Sequence, residues 1–409
     1  MVYNAVSAQT YHSARINKYT QNEGLSSDDI TKIIKDQYGF IWLGTQEGLN
    51  VFDGNSFEVF SNQSTPKRNL NGSYILDLIE DKKRSQIWVL TSLAPISCID
   101  LKSRTIINFL QQDSENQSYT KVWARSISLK DDLLWIGGLN TLSVFDIIRN
   151  QYINIPSVKE RLREMGEYNI SKIKHDSFGN VWLLMDGQGI VILDEDHEVL
   201  KIFHPEELNY KKNTDNLFFW DVTNNKDQMV IGTGWGLLQL KTGSSADQIL
   251  LNKNSNIHFK NEPIYSLNVI SDSLILFASN SNFYIKNTIS NNFQILQDHK
   301  KETISNIYKI YYDTDSRNIW IGSRSGLMSF SLAQKPFDAV INSSNNELSL
   351  DHINSLLATD ERSIYAVGPN GFFALIRSQK TLNYLTQQFI AGWFFRDQKI
   401  MSMFQAKIK

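Results

Sequence analysis

The chain has 409 residues, of which 41% are hydrophobic, and its 41 Lys and Arg nearly balance its 43 Asp and Glu to leave a net charge of −2. This balance disfavours binding of nucleic acid through bulk charge. The single cysteine, Cys98, excludes an intramolecular disulfide and cysteine-rich metal sites. No run of residues approaches the roughly 18 apolar positions that a membrane span requires.

The first residues show part of an export signal. They lack the basic and apolar regions of a signal peptide, but residues 4–9 (NAVSAQ) have the small-x-small pattern of a signal cleavage site. We therefore interpret residues 1–13 as an N-terminal remnant that contains a signal cleavage region.

A repeated motif organises the rest of the chain. Residues 36–45 (DQYGFIWLGT) return at 176–183 as DSFGNVWL and at 313–323 as DTDSRNIWIGS. Further copies keep the apolar pattern, and the period is about 46 residues. The anchor position of the eight units is occupied by Trp42, Trp88, Trp135, Trp182, Val230, Leu276, Trp320 and Tyr365.

Each unit has the pattern of four short strands. In the first unit the apolar runs lie at residues 30–34, 41–43, 49–52 and 57–60, and they are separated by turn residues. Asp53-Gly54 is a typical two-residue hairpin turn, since type I′ geometry needs positive φ at both positions. Each unit is thus predicted to be a four-stranded antiparallel meander.

A unit of this size cannot bury both faces of its own sheet, and radial packing of many such units gives a β-propeller. We predict an all-β fold with seven blades over residues 14–341, with an eight-bladed ring as the alternative. A strand near residues 14–19 would complete the last blade and remove the exposed edge. Residues 342–346 are predicted to be a linker, and residues 342–409 an eighth repeat that starts an incomplete second propeller. The recurring Trp residues are expected between adjacent blades, in the core.

The sequence contains few motifs that indicate catalysis or metal binding. P-loop, hydrolase and zincin motifs are absent, and the seven His residues are not at metal-ligand spacing from one another. The Asp-x-x-Gly-x-x-Trp hairpins resemble the Asp-box turn of sialidases, which is a structural device. We predict no catalytic residue, no metal and no cofactor.

The loops between the second and third strands offer binding residues, because loops on a rigid scaffold usually carry function. Trp235 stands between two glycines at such a tip, and an aromatic face with polar neighbours suits a sugar. The alternatives are packing of Trp235 over a neighbouring loop and a surface ion pair for Arg324. Trp123 and Trp220, in first strands, are interpreted as core residues. The predicted ligand-binding residues are Trp235, Arg324, Asp186, Asn140, Gln46 and Asn280.

Residues 24–30 (GLSSDDI) and 36–54 (DQYGFIWLGTQEGLNVFDG) closely resemble the two-component regulator propeller repeat. That repeat fills the periplasmic sensor region of hybrid two-component systems of Bacteroides-type bacteria, and the resemblance extends over residues 14 to 385. It implies a periplasmic sensor propeller that binds an oligosaccharide, with a homodimer in the full-length context left open. Family members continue into a second propeller, an Ig-like domain, a membrane span, a histidine kinase and a receiver.

This chain carries none of those later parts, so we interpret it as a truncated or split sensor without kinase or DNA-binding output, and not as an enzyme. Two other classes stay open. A protein-interaction scaffold would present a broad apolar or charged face. A propeller lyase similar to the streptogramin-inactivating family would need a clustered His and a metal-binding carboxylate on one face.

Overall fold

The computed structural model describes most of the chain between residues 16 and 331 and four further strands. The described ranges are 16–62, 65–92, 96–109, 123–208, 217–252, 262–279, 282–287, 290, 293–296, 307–331, 355–358, 363–368, 371–376 and 381–386. The chain divides into two compact units, residues 1–334 and residues 335–409.

The first unit contains seven four-stranded antiparallel sheets, which are the blades. Strand β1 is Asn17–Tyr19. Blade 1 comprises β2 Ile30–Lys35, β3 Ile41–Thr45, β4 Gly48–Phe52 and β5 Phe57–Phe60; blade 2 comprises β6 Ile75–Asp81, β7 Gln86–Thr91, β8 Ser97–Asp100 and β9 Ile106–Asn108. Blade 3 comprises β10 Ala124–Lys130, β11 Leu133–Gly138, β12 Thr141–Asp146 and β13 Gln151–Ile153; blade 4 comprises β14 Ile170–His175, β15 Val181–Met185, β16 Gly189–Leu193 and β17 Val199–Phe203.

Blade 5 comprises β18 Phe219–Asn225, β19 Gln228–Thr233, β20 Gly236–Lys241 and β21 Leu250–Leu251; blade 6 comprises β22 Ile264–Ser271, β23 Leu274–Ser279, β24 Phe283–Asn287 and β25 Phe293–Leu296. Blade 7 comprises β26 Ile307–Asp313, β27 Asn318–Ser323, β28 Gly326–Ser331 and β1. Within the described ranges, one α-helix, α1 Pro156–Glu164, links blades 3 and 4, and short 3₁₀ helices lie at Gln21–Glu23, Pro66–Arg68 and Pro205–Leu208.

The second unit contains one four-stranded antiparallel sheet. Its strands are β29 Ser355–Ala358, β30 Ser363–Gly368, β31 Gly371–Ile376 and β32 Thr381–Thr386. Tyr365, the anchor position of the eighth repeat, lies in β30 opposite Leu357.

The first hairpin of a blade is built by the aspartate that begins the motif. The Asp36 carboxylate accepts hydrogen bonds from the backbone N–H groups of Tyr38 and Phe40, both at 2.9 Å. Gly39 takes a φ of 95°, which residues other than glycine rarely adopt. These bonds form an Asx turn, which Asp176 and Gly179 repeat in blade 4.

The ring closes through the N-terminal strand. Strand β1 pairs antiparallel with β28, with Asn17 opposite Ser329 and Tyr19 opposite Leu327. The first strands of the blades also form a closed series of neighbours, from β2 through β6, β10, β14, β18 and β22 to β26 and back to β2. The seven-bladed propeller is therefore confirmed, and the eight-bladed alternative is wrong because blade 7 contacts blade 1.

The core lies between adjacent blades, as predicted for the Trp positions. Trp42 of blade 1 packs in a cluster with Leu78 and Val89 of blade 2, and Trp320 of blade 7 packs with Ile41 and Leu43 of blade 1. Burial of these Trp rings and of other apolar side chains between neighbouring sheets provides the main apolar stabilisation of the propeller. No helix among the described residues is long and apolar enough to cross a membrane.

Candidate ligand-binding site

The first strand of every blade contains a β-bulge near its beginning. In β2 the pairing with β3 shifts between Ile30 and Lys32, which leaves Thr31 without a partner in the ladder. We call this the bulge position. The first strands of a propeller surround its axis, and they begin at the face that carries the loops between second and third strands. The bulge positions therefore surround the central mouth at that face. They are Thr31, Leu76, Arg125, Ser171, Trp220, Tyr265 and Tyr308.

Three consecutive blades carry an aromatic residue at the bulge position. The ring centroids of Trp220 and Tyr265 are 5.1 Å apart, and those of Tyr265 and Tyr308 are 6.2 Å apart. Phe218 extends the series, with its centroid 5.7 Å from that of Trp220. We call Phe218, Trp220, Tyr265 and Tyr308 the aromatic arc. It spans blades 5, 6 and 7, and the bulge positions of the other four blades are Thr31, Leu76, Arg125 and Ser171.

The aromatic arc carries unused hydrogen-bonding capacity. The indole Nε1 of Trp220 has no hydrogen-bond partner among the described residues, although a buried indole N–H usually finds one. Burial, with a smaller contribution from Tyr308, raises the pKa of the Tyr265 hydroxyl, which therefore stays protonated. The arc thus combines aromatic faces with donors that a bound molecule could use.

Two of the predicted residues meet beside the arc. The Arg324 guanidinium lies 5.3 Å from the centre of the Tyr308 ring, and its Nε is 3.9 Å from the Asp29 carboxylate. Gln46 donates its side-chain N–H to the same carboxylate at 2.7 Å. The Arg324 side chain is 67% exposed. Arg324, Asp29 and Gln46 therefore form a polar cluster at the junction of blades 7 and 1, with the cation available to solvent.

Asp186 has a supporting position between blades 3, 4 and 5. Its carboxylate accepts from the backbone N–H of Phe219 at 3.0 Å and lies 3.1 Å from Arg125. Burial raises the pKa of Asp186 while these contacts favour its charged form. The Asp186 side chain is 7% exposed, so it holds the first residue of β18 and pairs with the exposed Arg125 guanidinium.

Asn140 also stabilises a loop. Its side-chain oxygen accepts from the backbone N–H of Tyr168 at 2.9 Å, and its backbone N–H donates to the Tyr168 carbonyl at 2.7 Å. It takes φ of 48°, a conformation that Asn tolerates better than most residues. These bonds anchor the segment that enters blade 4.

Trp235 lies in the core. It is 2% exposed, its ring is 6.0 Å from that of Phe219, and it packs in the apolar cluster between blades 4 and 5. The aromatic ring at the mouth is instead that of Trp220, which sequence reasoning had assigned to the core. Trp123, also interpreted as core, is 56% exposed. Asn280 lies outside the described residues.

Sequence reasoning missed the aromatic arc because it aligned the loop tips and not the first strands. The signal was present: Trp220, Tyr265 and Tyr308 each follow directly on the buried apolar residue that begins a first strand. No group of His, Cys, Asp and Glu suited to a metal ion occurs among the described residues.

The fold defines a seven-bladed β-propeller protein, and residues 24–47 match the family model of the Two component regulator propeller. The resemblance seen in the first repeat is thereby confirmed. A segment of 59 residues is 37% identical to Histidine kinase P4 of Formosa agariphila, and this match covers 14% of this chain and 4% of the kinase.

Solved structures share the fold. The extracellular domain of the hybrid two-component system BT3049 from B. thetaiotaomicron is 19% identical with a TM-score of 0.65, over 92% of this chain and 50% of that one. Streptogramin B lyase is 11% identical with a TM-score of 0.57, over 79% of this chain and 99% of that one. The chain spans half the length of the first structure and a small part of the kinase.

Proposed function

We propose that this chain is an extracytoplasmic ligand-sensing propeller of a two-component signalling system, and that its ligand is an oligosaccharide. The observation that carries the proposal is the aromatic arc next to the polar cluster of Arg324, Asp29 and Gln46. The names of the similar proteins support the signalling part, since one is a histidine kinase and another is the extracellular domain of a hybrid two-component system. On this proposal the chain binds and does not catalyse.

The chemistry of the mouth suits a saccharide. The C–H faces of a sugar ring pack on aromatic side chains, while its hydroxyls need directed hydrogen bonds. Trp220 supplies an aromatic face and an unpaired N–H, and the exposed guanidinium of Arg324 supplies fixed donors. A ligand lying across blades 5 to 7 would reach both groups.

The organisation into domains is a further part of the proposal. The closed ring uses repeats one to seven, so the sheet of β29 to β32 is proposed to begin a second array of repeats, with the boundary near residue 342. The periplasm is the proposed compartment.

Binding to a panel of oligosaccharides, measured as a thermal shift and then by calorimetry, tests the proposal. A ligand that binds the folded state alone raises the free energy of unfolding by about 2.7 kcal/mol at a hundredfold excess over Kd. Trp220→Ala should weaken binding at least tenfold, and Trp220→Phe, which keeps a ring but loses the N–H, should have an intermediate effect. Phe178→Ala is the matched control, because Phe178 is an exposed aromatic on a first hairpin, at the opposite end of its blade.

No shift with any saccharide, from a chain that unfolds cooperatively, would count against the proposal. Equal loss of binding in Phe178→Ala and Trp220→Ala would show that the aromatic arc is not the site.

A further inference from the structure

Below the mouth lies a second ring of side chains, which we call the inner ring. It consists of the residue that follows the bulge position in each first strand, so it is one layer deeper along the same strands. Unlike the aromatic arc, it is made of charged and small polar side chains. Its members are Lys32, Asp77, Ser126, Lys172, Asp221, Ser266 and Lys309.

Part of the inner ring joins neighbouring blades. The Asp77 carboxylate of blade 2 accepts the backbone N–H of Ile127 in blade 3 at 3.1 Å. The Ser126 hydroxyl of blade 3 in turn accepts the backbone N–H of Ile173 in blade 4 at 3.1 Å. These two side chains are therefore structural links between neighbouring first strands.

Blades 5 to 7 repeat the same pair of links. Asp221 accepts the N–H of Leu267 at 3.1 Å and the Ser266 hydroxyl at 2.9 Å. Ser266 accepts the N–H of Ile310, also at 3.1 Å. Both aspartates and both serines thus have defined structural partners, which leaves the lysines to be explained.

Two of the three lysines have a carboxylate partner within the ring. Lys32 lies 2.6 Å from Asp77, and Lys309 lies 3.5 Å from Asp221. Lys172 has neither an ion pair nor a hydrogen bond through its ammonium group among the described residues, yet its side chain is half-buried. An enclosed ammonium group without a direct partner is costly, and such groups are seldom retained without a role.

The charges of the inner ring converge on the axis. Burial and the positive charge of Lys309 lower the pKa of Lys172 to about 8, and Lys32 acts in the same direction. Lys172 belongs to blade 4, whereas Lys309 and Lys32 belong to blades 7 and 1, which are not its neighbours. Their charges reach one another because all three side chains extend toward the centre of the ring.

A fourth lysine adds to the excess of positive charge. Lys174 is two residues beyond Lys172 in β14 and projects to the same side of the strand. Burial and the charge of Lys32 lower the pKa of Lys174. Four lysines therefore share this space with the two carboxylates of Asp77 and Asp221.

We propose that Lys172, together with Lys174, binds an oxyanion group of the ligand beneath the aromatic arc, so that the sensed molecule is an acidic saccharide. The identification of a saccharide rests on the proposed function above, but the anion site rests on the inner ring alone. A carboxylate or sulfate here would supply the partner that Lys172 lacks. The flexible lysine stems can close on an oxyanion as point charges without a fixed planar geometry.

A matched pair of ligands distinguishes recognition of the anionic group from recognition of the sugar. Acidic oligogalacturonides and the same oligomers with methyl-esterified carboxyl groups are titrated into the full chain at constant ionic strength, near pH 7. Sodium sulfate, compared with sodium chloride of equal ionic strength, reports on the anion site without any sugar. The variants are Lys172→Met and Lys174→Met, with Lys241→Met, an exposed lysine at the end of a third strand, as control.

The wild type is expected to bind the acid at least tenfold more tightly than the ester, and Lys172→Met should remove this preference while the ester still binds. Lys241→Met should leave the preference unchanged. Equal affinity for acid and ester, or an unchanged preference in Lys172→Met, overturns the anion site and leaves the saccharide proposal intact. If sulfate stabilises the wild type but not Lys172→Met, and no saccharide binds, the anion site is supported. The proposal that the ligand is a saccharide is then overturned. No response to any of these probes overturns both.

Discussion

Trp42 donates its indole N–H to the carboxylate of Asp36 at 2.8 Å, and Trp182 donates to Asp176 at the same distance in blade 4. The aspartate also accepts the backbone N–H groups of its own turn, so one buried carboxylate fixes both the hairpin and the orientation of the core ring. The Asp-x-x-Gly-x-x-Trp spacing of the repeat is explained by this triple contact.

Replacement of Asp36 by Ala should therefore destabilise the ring. The change leaves a buried indole N–H and two backbone N–H groups unsatisfied, and we expect a loss of about 3 kcal/mol in the free energy of unfolding. Urea denaturation followed by Trp fluorescence measures it. Asp53→Ala, which removes an exposed turn carboxylate of the same blade that bonds to Asn55 and Ser56, should cost much less. Similar losses in both variants would mean that the contact with Trp42 contributes little.

Strand β1 should contribute strongly to stability although it has three residues. It supplies the last strand of blade 7, and the Tyr19 ring lies 5.0 Å from that of Phe52 in blade 1. A chain that lacks residues 1–19 should be less stable by about 3 kcal/mol than one that lacks residues 1–15, because only the former loses the ladder and this aromatic contact. Calorimetric melting of the two variants side by side makes the comparison, and coincident transitions would refute a role for β1 in closure.

The inner ring predicts a pH dependence of stability. The pKa of Lys172 is about 8 in the folded chain, below its ordinary value of 10.5, because of burial and the charges of Lys309 and Lys32, which outweigh the attraction of Asp77 and Asp221. Between these two values the unfolded chain binds more protons than the folded chain, so the Lys172 contribution to stability rises with pH. We expect the gain to be about 1–2 kcal/mol from pH 7.5 to 10.

Lys172→Met isolates this contribution, since Met has a similar shape and cannot be protonated. The difference in unfolding free energy between the wild type and Lys172→Met, measured at steps across pH 7.5 to 10, should shrink as pH rises. A difference that stays constant over this range would contradict the depressed pKa of Lys172.

Cys98 should be unreactive in the folded chain. Burial in β8, with a smaller effect of the Asp81 and Asp100 charges, raises the pKa of its thiol to about 12. Since the thiolate is the nucleophile, alkylation by iodoacetamide at pH 8 should be slower than in the denatured chain by roughly a hundredfold or more. Mass spectrometry of timed samples with and without urea provides the measurement. Fast labelling of the native chain would place the thiol at an accessible surface.

The architecture could be predicted from the sequence because the same motif recurs in unit after unit along the chain. Trp42, Trp182 and Trp320 recur with a constant spacing, and a sheet of four strands with apolar residues on both faces has few ways to pack. The closing role of residues 17–19 also followed, since an unpaired edge in blade 7 needed a partner. Register shifts could not be derived in this way, because the alternation of residues in β2 does not reveal where its ladder is interrupted.

The mouth was harder to predict for the same reason. Trp220 and Trp235 are both aromatic residues of blade 5, but the β-bulge between Phe219 and Asp221 places Trp220 at the mouth, whereas Trp235 packs in the apolar cluster between blades 4 and 5. The positions of Gln46 and Arg324 at loop tips could be predicted because these loops can be aligned by their glycines; their role in binding stays a prediction. Lys172 carried no local sign of its surroundings, since its neighbours in the ring come from blades distant in sequence.

The bulge positions show how a sevenfold frame loses its symmetry. Seven equivalent positions would give a bound molecule seven equivalent orientations, with no reason to prefer one. Because Trp220, Tyr265 and Tyr308 occupy three consecutive positions, a bound molecule would meet aromatic rings on one flank only. The repeat thus builds a mouth of sevenfold geometry. The different residues at the bulge position of each blade make one side of this mouth chemically distinct from the other.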